Sequence, residues 1–177
     1  MSTSPINYKI VQLSESEMQA RLPELVEILV NVVEGGASVN FMPPFTPTES
    51  LDYWQKIVPV VKEGRVILLV ALVEGKAVGT VQLVLPIPPN QSHRADVAKL
   101  LVHQSARRYG IARALMQHLE TVARRHGRTL LTLDTMTGTV AERLYLSLGY
   151  ILVGIIPGYS YFPNGSLGDT AFFYKPL

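Results

Sequence analysis

The stretch QSARRYGIARALM, residues 104–116, decides the fold of this chain. It follows the apolar run KLLV, which is typical of a strand, and a single glycine precedes its apolar-periodic half. A strand that turns at a glycine and opens a helix brings free backbone N–H groups to one point, where the helix dipole favours a negative charge. The stretch therefore predicts a strand–loop–helix unit that binds an anion.

Two common nucleotide-binding patterns do not fit this stretch. A P-loop requires Gly-x-x-x-x-Gly-Lys-Ser/Thr, which the chain lacks, and a dinucleotide fingerprint requires three glycines where RRYGIA has one. The remaining pattern is Arg107-x-x-Gly110-x-Ala112, whose small residues let a pyrophosphate approach the backbone. The predicted anion-contacting residues are Arg107, Arg108, Tyr109, Gly110, Ile111, Ala112 and Arg113. The alternative is a helix start that carries solvated arginines.

The rest of the chain predicts an α/β fold in one domain, residues 1–177. The apolar patterns give the order β-α-α-β-β-β-α-β-α-β-β. The first helix is predicted as one piece over residues 14–36, and the second over residues 48–64, interrupted near Pro59. Residues 157–168, PGYSYFPNGSLG, are predicted to be a loop.

Composition excludes several classes of function. Of the 177 residues 47% are hydrophobic and 17% charged, which indicates a folded protein, and a net charge of +2 is too small to predict a nucleic-acid partner. Without cysteine there is no disulfide, thiolate metal site or sulfur nucleophile, and the four histidines lack metal-site spacing. The longest apolar run, VILLVALV, is too short to cross a membrane. We expect a cytoplasmic protein without metal or membrane partner.

Two motifs resemble those of a known family. LLVHQSARRYGIARALM, residues 100–116, resembles motif A of the GNAT acyltransferases, and AERLYLSLGY, residues 141–150, resembles a second signature of that family. The resemblance implies a GNAT-like mixed central sheet of about seven strands, flanked by about four helices. It also implies a splayed parallel pair, RADVAKLLV and RTLLTLDT, that holds acetyl-coenzyme A as co-substrate.

The same resemblance assigns contacts to the cofactor. Leu101 and Val102 match strand positions whose backbone pairs with the pantetheine arm and whose N–H polarises the thioester carbonyl. Many members have an asparagine where this chain has Gly138, so that contact is either absent or supplied by Thr137 or Thr139.

Acetyl transfer to an amine requires a neutral nitrogen, so a base is needed. Asp96 and Asp134 match acidic positions of the family, which implies that one or both act as the base. Alternation predicts Asp96 on the same face as Ala98, Leu100 and Val102. The alternatives are that Asp96 pairs with Arg94 or Lys99, and that Asp134 caps the following turn.

Tyr145 matches the tyrosine that faces the coenzyme sulfur in this family, which implies a general acid for the leaving thiolate. The alternative is a core position, since Tyr145 shares a helical stripe with Ala141, Leu144 and Leu148. Because the chain has no cysteine, an acyl-enzyme through sulfur is excluded, and direct attack within a ternary complex is expected.

The acceptor pocket is predicted from three loops, GGASVNFMPPF, PIPPNQSH and PGYSYFPNG. Several segments resemble family members that acetylate the amine of a β-lactam toxin, which implies a small, amino-acid-like amine. The alternatives are a non-catalytic acyl-coenzyme A sensor, a peptide or protein acetyltransferase, and aromatic loops that only cover a sheet edge. A homo-oligomer is compatible with these patterns. The candidate acceptor-binding residues are Gly35, Gly36, Asn40, Phe41 and Tyr159.

Overall fold

The computed structural model describes residues 6–85 and 88–177. These residues form seven strands: β1 Tyr8–Gln12, β2 Val66–Val73, β3 Lys76–Val84, β4 Arg94–Val102, β5 Leu130–Met136, β6 Ile151–Tyr161 and β7 Leu167–Pro176. They also form five α-helices: α1 Glu15–Ala20, α2 Leu22–Glu34, α3 Pro47–Lys62, α4 Ile111–Arg125 and α5 Val140–Ser147. The predicted α/β fold class is confirmed. None of these helices is long and apolar enough to span a membrane.

The seven strands make one sheet in the order β1-β2-β3-β4-β5-β7-β6. Only β4 and β5 are parallel, and they are paired at three positions, from Arg94 opposite Leu130 to Asp96 opposite Thr132. Beyond this point the two strands no longer pair with each other, although β4 continues to Val102 beside β3 and β5 continues to Met136 beside β7. We call the space between these parts of β4 and β5 the strand gap. The predicted splayed parallel pair is therefore confirmed.

Helices cover both faces of the sheet and create two hydrophobic cores. On one face, α4 packs its buried stripe, which includes Leu115 and Leu119, against β2 to β5 and β7. On the other face, α1, α2 and α3 surround Trp54, which is fully buried and donates from Nε1 to the Leu25 carbonyl at 2.9 Å. The strand gap thus opens between two rigid layers.

A β-bulge at Lys99 changes which way β4 faces. Leu101 lies opposite Thr80, whereas Ala98 lies opposite Gln82, so β4 contains one extra residue, and Lys99 has a left-handed φ of 51°. Beyond the bulge, even-numbered residues pack toward α4 and Leu101 packs toward α2 and α3. The expectation that Asp96 shares a face with Leu100 and Val102 is therefore wrong, because the bulge reverses the alternation between them.

The predicted helices differ from the observed ones in two places. The first is divided: α1 ends at Ala20, Arg21 adopts φ −103°, and α2 begins with Pro23 in its first turn. Proline is favoured there because the first-turn N–H groups have no partner within the helix. The second helix runs through Pro59 to Lys62 without interruption, since packing of its buried face outweighs the lost N–H.

The predicted loop of residues 157–168 is mostly strand. β6 extends to Tyr161 and pairs with β7, which begins at Leu167, so only a short turn remains. Proline and glycine are tolerated because β6 is an edge strand with irregular register between Ile156 and Ser160. Of the predicted connection PIPPNQSH, residues 86 and 87 lie outside the described residues, and Pro89–Gln91 form a single 3-10 turn.

Candidate active site

Residues 107–110, which we call the cofactor loop, join β4 to α4. Arg108 has φ 70° and Gly110, the N-cap residue, has φ 81°. Gly110 has no side chain with which to cap α4, so the first-turn N–H groups, including those of Ile111, Ala112 and Arg113, face outward unpaired. The loop therefore presents backbone donors at the positive end of a helix, an arrangement that favours a phosphate group.

The three arginines of this region have different partners. Arg107 donates from Nε to the Val102 carbonyl at 3.1 Å, which holds its side chain against the end of β4. Arg113 donates from Nη2 to Ser147 Oγ at 2.7 Å and so connects α4 to α5. Arg108 is exposed, and Tyr109 packs against the α4 core. The cofactor loop is thus fixed at both sides while Arg108 faces solvent.

The register of β4 determines which backbone donors face the strand gap. His103 N–H donates to the Val78 carbonyl at 2.9 Å, and alternation along an antiparallel pair then turns Leu101 N–H toward β3 as well. The Lys99 carbonyl accepts from Thr80 Oγ1 at 3.0 Å, so Leu100 N–H points the opposite way, as in any trans peptide. The donors directed into the strand gap are therefore those of Leu100 and Val102. Of the two positions that the sequence resemblance named, Leu101 and Val102, only Val102 therefore directs its N–H into the strand gap.

Asp96 lies at the last paired position of β4 and is engaged with neighbouring side chains. Its Oδ1 accepts from Arg94 Nη1 and from Thr132 Oγ1, and Arg94 Nη1 also donates to Thr132 Oγ1 at 2.7 Å. Arg94 is held in turn by Gln91 Oε1, at 3.3 Å from Nε and 3.0 Å from Nη2. The pairing with Arg94, one of the alternatives for Asp96, is thus observed.

Asp134 lies on the part of β5 that no longer pairs with β4, opposite Phe172 of β7 and on the same face as Thr132. Asp134 is exposed, yet the surrounding protein removes part of the water from its carboxyl and so raises its pKa above the ordinary value; the charge of Lys99 opposes that rise, and the charge of Asp96 adds to it. The three charged groups therefore share one environment beside the strand gap. A carboxyl group with a raised pKa there is suited to proton transfer.

Lys99 projects from the bulge and is not among the site residues predicted from the sequence. Its Nζ donates to the Val39 carbonyl at 3.1 Å and lies 5.5 Å from the ring centroid of Phe41 and 5.6 Å from that of Tyr53. Burial lowers the pKa of the Lys99 ammonium, and the charge of Asp134 opposes the shift. The sequence feature that could have indicated its role is the position of a lysine at the start of the apolar run KLLV.

Tyr145 lies on α5 and is 7% exposed. Its ring centroid is 5.7 Å from that of Tyr150 and 6.4 Å from that of Phe173, so the ring belongs to the hydrophobic core. Burial, and then the charge of Asp134, raise the pKa of its hydroxyl well above the ordinary value. Tyr145 is thus a core residue that also interacts electrostatically with Asp134.

Of the two threonines in the turn before α5, Thr139 has a structural role. Thr139 is the N-cap of α5, where its Oγ1 accepts from Glu142 N–H at 3.2 Å and donates to the Met136 carbonyl at 2.9 Å. Gly138 has φ 74° and donates its N–H to Glu142 Oε2 at 2.6 Å. Thr137 donates its backbone N–H to the Asp169 carbonyl at 3.0 Å. With Thr139 committed to the cap, Thr137 is the better candidate for a cofactor contact.

Residues 35–45, which we call the acceptor loop, follow α2. Gly35 caps α2 and lies against Gln104, close to the cofactor loop, whereas Gly36 and Asn40 are exposed with left-handed φ values of 81° and 70°. Phe41 packs its ring 4.6 Å from that of Phe45. The glycines therefore shape the loop, and Phe41 is the predicted residue that reaches Lys99.

Tyr159 lies on β6, not in a loop, and 54% of it is exposed. Its ring meets that of Phe172 edge-on at 5.3 Å, and Phe172 is the register partner of Asp134. Tyr159 thus borders the face that carries Asp134. No group of three His, Cys, Asp or Glu side chains that could hold a metal ion is found in residues 6–85 and 88–177.

Comparison with known proteins identifies a family and a fold. The sequence model of the acetyltransferase (GNAT) family matches residues 37–150, a range that contains the cofactor loop, Asp96, Asp134 and Tyr145. The chain is 25% identical to the ribosomal-protein-alanine N-acetyltransferase from Brucella melitensis, with a TM-score of 0.78 over 96% of this chain and 99% of that chain.

Two further solved structures show the same fold at lower identity. The N-acetyltransferase from Staphylococcus aureus Mu50 is 19% identical, with a TM-score of 0.78 over 96% of this chain and 98% of that chain. The protein yncA from Salmonella typhimurium, solved with its cofactor acetyl-CoA, is 20% identical, with a TM-score of 0.75 over 97% of this chain and 94% of that chain.

Proposed function

Because the chain belongs to the GNAT family of acetyltransferases, we propose that it transfers an acetyl group from acetyl-coenzyme A to the amine of a small, amino-acid-like molecule. The observation that carries the proposal is that Asp134 and Lys99 lie on one face of the sheet beside the strand gap, into which the backbone of β4 directs N–H donors. Tyr145 lies in the core on the α4 side, near enough for the charge of Asp134 to raise the pKa of its hydroxyl.

The cofactor loop suits the pyrophosphate of acetyl-coenzyme A. The left-handed Gly110 leaves the first turn of α4 without a side-chain cap, and an anion supplies the acceptors that those N–H groups lack. Arg108 adds positive charge from solvent, and Thr137 lies across the gap as a further polar contact. The edge of β4 that faces the strand gap has no strand partner at Val102, so its backbone suits the amide groups of the pantetheine arm.

In the proposed reaction the amine nitrogen attacks the thioester carbonyl carbon, so that a C–N bond forms and the C–S bond breaks. We assign the base to Asp134, because Asp96 is engaged with Arg94 and Thr132 while the carboxyl of Asp134 has a raised pKa and borders the gap. A base with a pKa closer to neutrality than an ordinary aspartate accepts the amine proton more effectively. Asp96 is then a positioning residue.

Tyr145 is the proposed general acid, which gives its proton to the departing thiolate. Its raised pKa keeps the hydroxyl protonated throughout the neutral range. The thiolate forms in the same low-dielectric surroundings, which raise its own proton affinity and so keep the transfer favourable. The N–H groups of Leu100 and Val102 would stabilise the negative charge on the carbonyl oxygen, for about 3 kcal/mol by comparison with other oxyanion holes.

The aromatic surroundings support a small acceptor. Phe41, Tyr53 and Tyr159 border the face that carries Asp134, and aromatic walls around a few polar groups are typical of small-molecule sites. Segments that include GGASVNFM and VGIIPGY are similar to the tabtoxin resistance protein, which acetylates a β-lactam toxin. Toxin-like or antibiotic-like amines are therefore among the acceptors we propose.

A second candidate acceptor is the N-terminal amine of a peptide or protein. It is favoured by the similarity to the Brucella melitensis enzyme, whose name gives ribosomal-protein alanine as its acceptor. An open groove that accepts an extended chain is required for this reaction. Competition between short peptides and free amino acids in one assay separates the two acceptor classes.

The test is thiol release from acetyl-coenzyme A, followed colorimetrically with amino acids, β-lactam amines, polyamines and short peptides. The chain has no cysteine, so the protein adds no thiol background. We expect Tyr145→Phe and Asp134→Asn to lower kcat about 10²- to 10⁴-fold. The exposed residues Tyr161 and Asp52 supply the matched controls Tyr161→Phe and Asp52→Asn.

Unchanged activity in both active-site variants would refute the assigned roles. Tight binding of coenzyme A with no release on any acceptor would instead favour a non-catalytic acyl-coenzyme A sensor.

A further inference from the structure

Lys99 and Asp134 carry opposite charges in one environment without forming an ion pair. Each shifts the pKa of the other, yet none of the ion pairs found among residues 6–85 and 88–177 involves either group. The Lys99 side chain is directed to Val39 and Phe41, whereas Asp134 lies on β5 on the same face of the sheet. A molecule that carries both signs would complement these two separate charges.

The ammonium of Lys99 has spare hydrogen-bonding capacity. It has three N–H donors, and among the described residues its hydrogen-bond partner is the Val39 carbonyl. Tyr53 Oη is engaged with the Gln82 amide, accepting from Nε2 at 3.0 Å and donating to Oε1 at 3.3 Å. The rings of Phe41 and Tyr53 hold the cation by their faces and keep it directed toward the acceptor side.

The β-bulge explains how a lysine comes to lie there. Its left-handed φ at Lys99 is unfavourable for a residue with a Cβ, and the conformation is held by Thr80 Oγ1 on the Lys99 carbonyl. The bulge directs the side chain under the acceptor loop at Val39 and Phe41. A conformation with this cost, kept at the edge of the strand gap, is consistent with a functional position.

We propose that Lys99 binds the carboxylate of the acceptor while Asp134 receives its amine, so that the preferred acceptor is a free amino acid or a close analogue. This inference rests on the proposed acetyl transfer and names its substrate class. A carboxylate would accept a charge-assisted hydrogen bond from Lys99 and would leave the amine directed toward Asp134. Lys99 is thus the residue that determines specificity.

The experiment compares free L-amino acids with their α-carboxamides, which keep the amine and the side chain but lose the charge. Acetyl transfer is measured for wild type, Lys99→Met and the control Lys56→Met, an exposed lysine on α3. Binding of the same compounds to the coenzyme A complex is measured by calorimetry. Thermal denaturation confirms that each variant is folded.

We expect wild type to prefer the acids over the amides by at least about tenfold in kcat/KM, because a charge-assisted hydrogen bond is lost in the amides. Lys99→Met should lower kcat/KM on the acids about ten- to a hundredfold, mainly through KM, and leave the amides unchanged. Lys56→Met should behave as wild type.

Equal use of acids and amides by wild type, or a Lys99→Met variant that keeps the preference for acids, overturns the role of Lys99 and leaves acetyl transfer intact. Carboxylate binding that depends on Lys99 without any transfer overturns the proposed reaction and supports the binding site. Neither transfer nor binding of any carboxylate overturns both.

Discussion

Asn31 and Gln104 are joined by two hydrogen bonds that connect the end of α2 to the turn between β4 and α4. Gln104 N–H donates to Asn31 Oδ1 at 2.8 Å, and Gln104 Nε2 donates to the Asn31 carbonyl at 3.2 Å. Gly35 makes the contact feasible, since a Cβ at that position would overlap Gln104 Nε2. The start of the acceptor loop and the approach to the cofactor loop are therefore held together.

Asn31→Ala should loosen this connection. We expect a loss of about 1 kcal/mol in the free energy of unfolding, measured in urea, and weaker binding of coenzyme A, measured by calorimetry. Gln104→Ala is the companion variant, because it removes the bond from Nε2 to the Asn31 carbonyl while its own backbone N–H can still donate to Asn31 Oδ1. Wild-type stability and wild-type affinity for coenzyme A in both variants would contradict the proposed connection.

Asp134→Asn should lower the acetyl-transfer activity and raise the stability of the fold at pH 7. The pKa of Asp134 is raised in the folded protein above its unfolded value of about 3.9, so the ionised carboxylate destabilises the fold. The variant should therefore have a higher Tm than wild type at pH 7, and the difference should disappear below the unfolded pKa. Acetyl transfer by wild type should increase as pH rises through the raised pKa, and the variant should lack this limb. A lower Tm for the variant at pH 7 would refute the assignment.

Gly110→Ala should weaken cofactor binding through backbone strain. At φ 81° a Cβ costs about 1–2 kcal/mol, although the nearest atom to it, Tyr8 Oη, would be 3.9 Å away. The strained loop should relax and misdirect its N–H groups, which raises the Kd for coenzyme A. Gly64→Ala is the matched control, because Gly64 has φ 70°, has open space around it and ends α3. Equal losses of affinity in both variants would indicate general destabilisation instead.

Lys175→Met should be strongly destabilising. Lys175 Nζ donates to Glu120 Oε1 at 2.7 Å and to the Leu148 carbonyl at 2.6 Å, and Glu120 is 7% exposed. Removing one partner leaves a buried charge uncompensated, at a cost of about 3–5 kcal/mol. The double variant Lys175→Met/Glu120→Met should recover much of this loss in urea denaturation. Failure of the second substitution to rescue the first would show that packing around Tyr150, and not charge, dominates.

The cofactor half of the site was the more predictable from the sequence. Arg107 to Arg113 follow one another along the chain, and the conformation of the loop depends on a local glycine and a helix start. Such signals are contained in a few consecutive residues. The parallel pairing of RADV with RTLL was expected from the resemblance to the GNAT family, and the observed register confirms it.

The acceptor half depends on contacts between distant residues, which periodicity does not reveal. The bulge at Lys99 arises from the pairing of β4 with β3, and it reverses the faces of Leu100 and Val102 relative to Asp96. Lys99 therefore reaches Val39, 60 residues earlier in the chain. Tyr159 was assigned to a loop because proline and glycine precede it, yet pairing with β7 outweighs local propensity.

Because β4 and β5 pair with each other at only three positions, the sheet consists of two parts, β1 to β4 and β5 to β7, that are joined at one end. At the position where the two parts of the sheet separate, Asp96 bonds to Arg94 and to Thr132 and so connects β4 to β5 through side chains. Beyond Asp96, the described residues of β4 and β5 form no backbone hydrogen bonds with each other. Packing of α4 against both parts of the sheet holds them together beyond this point, and a molecule in the strand gap would add hydrogen bonds to the strand edges that face each other there.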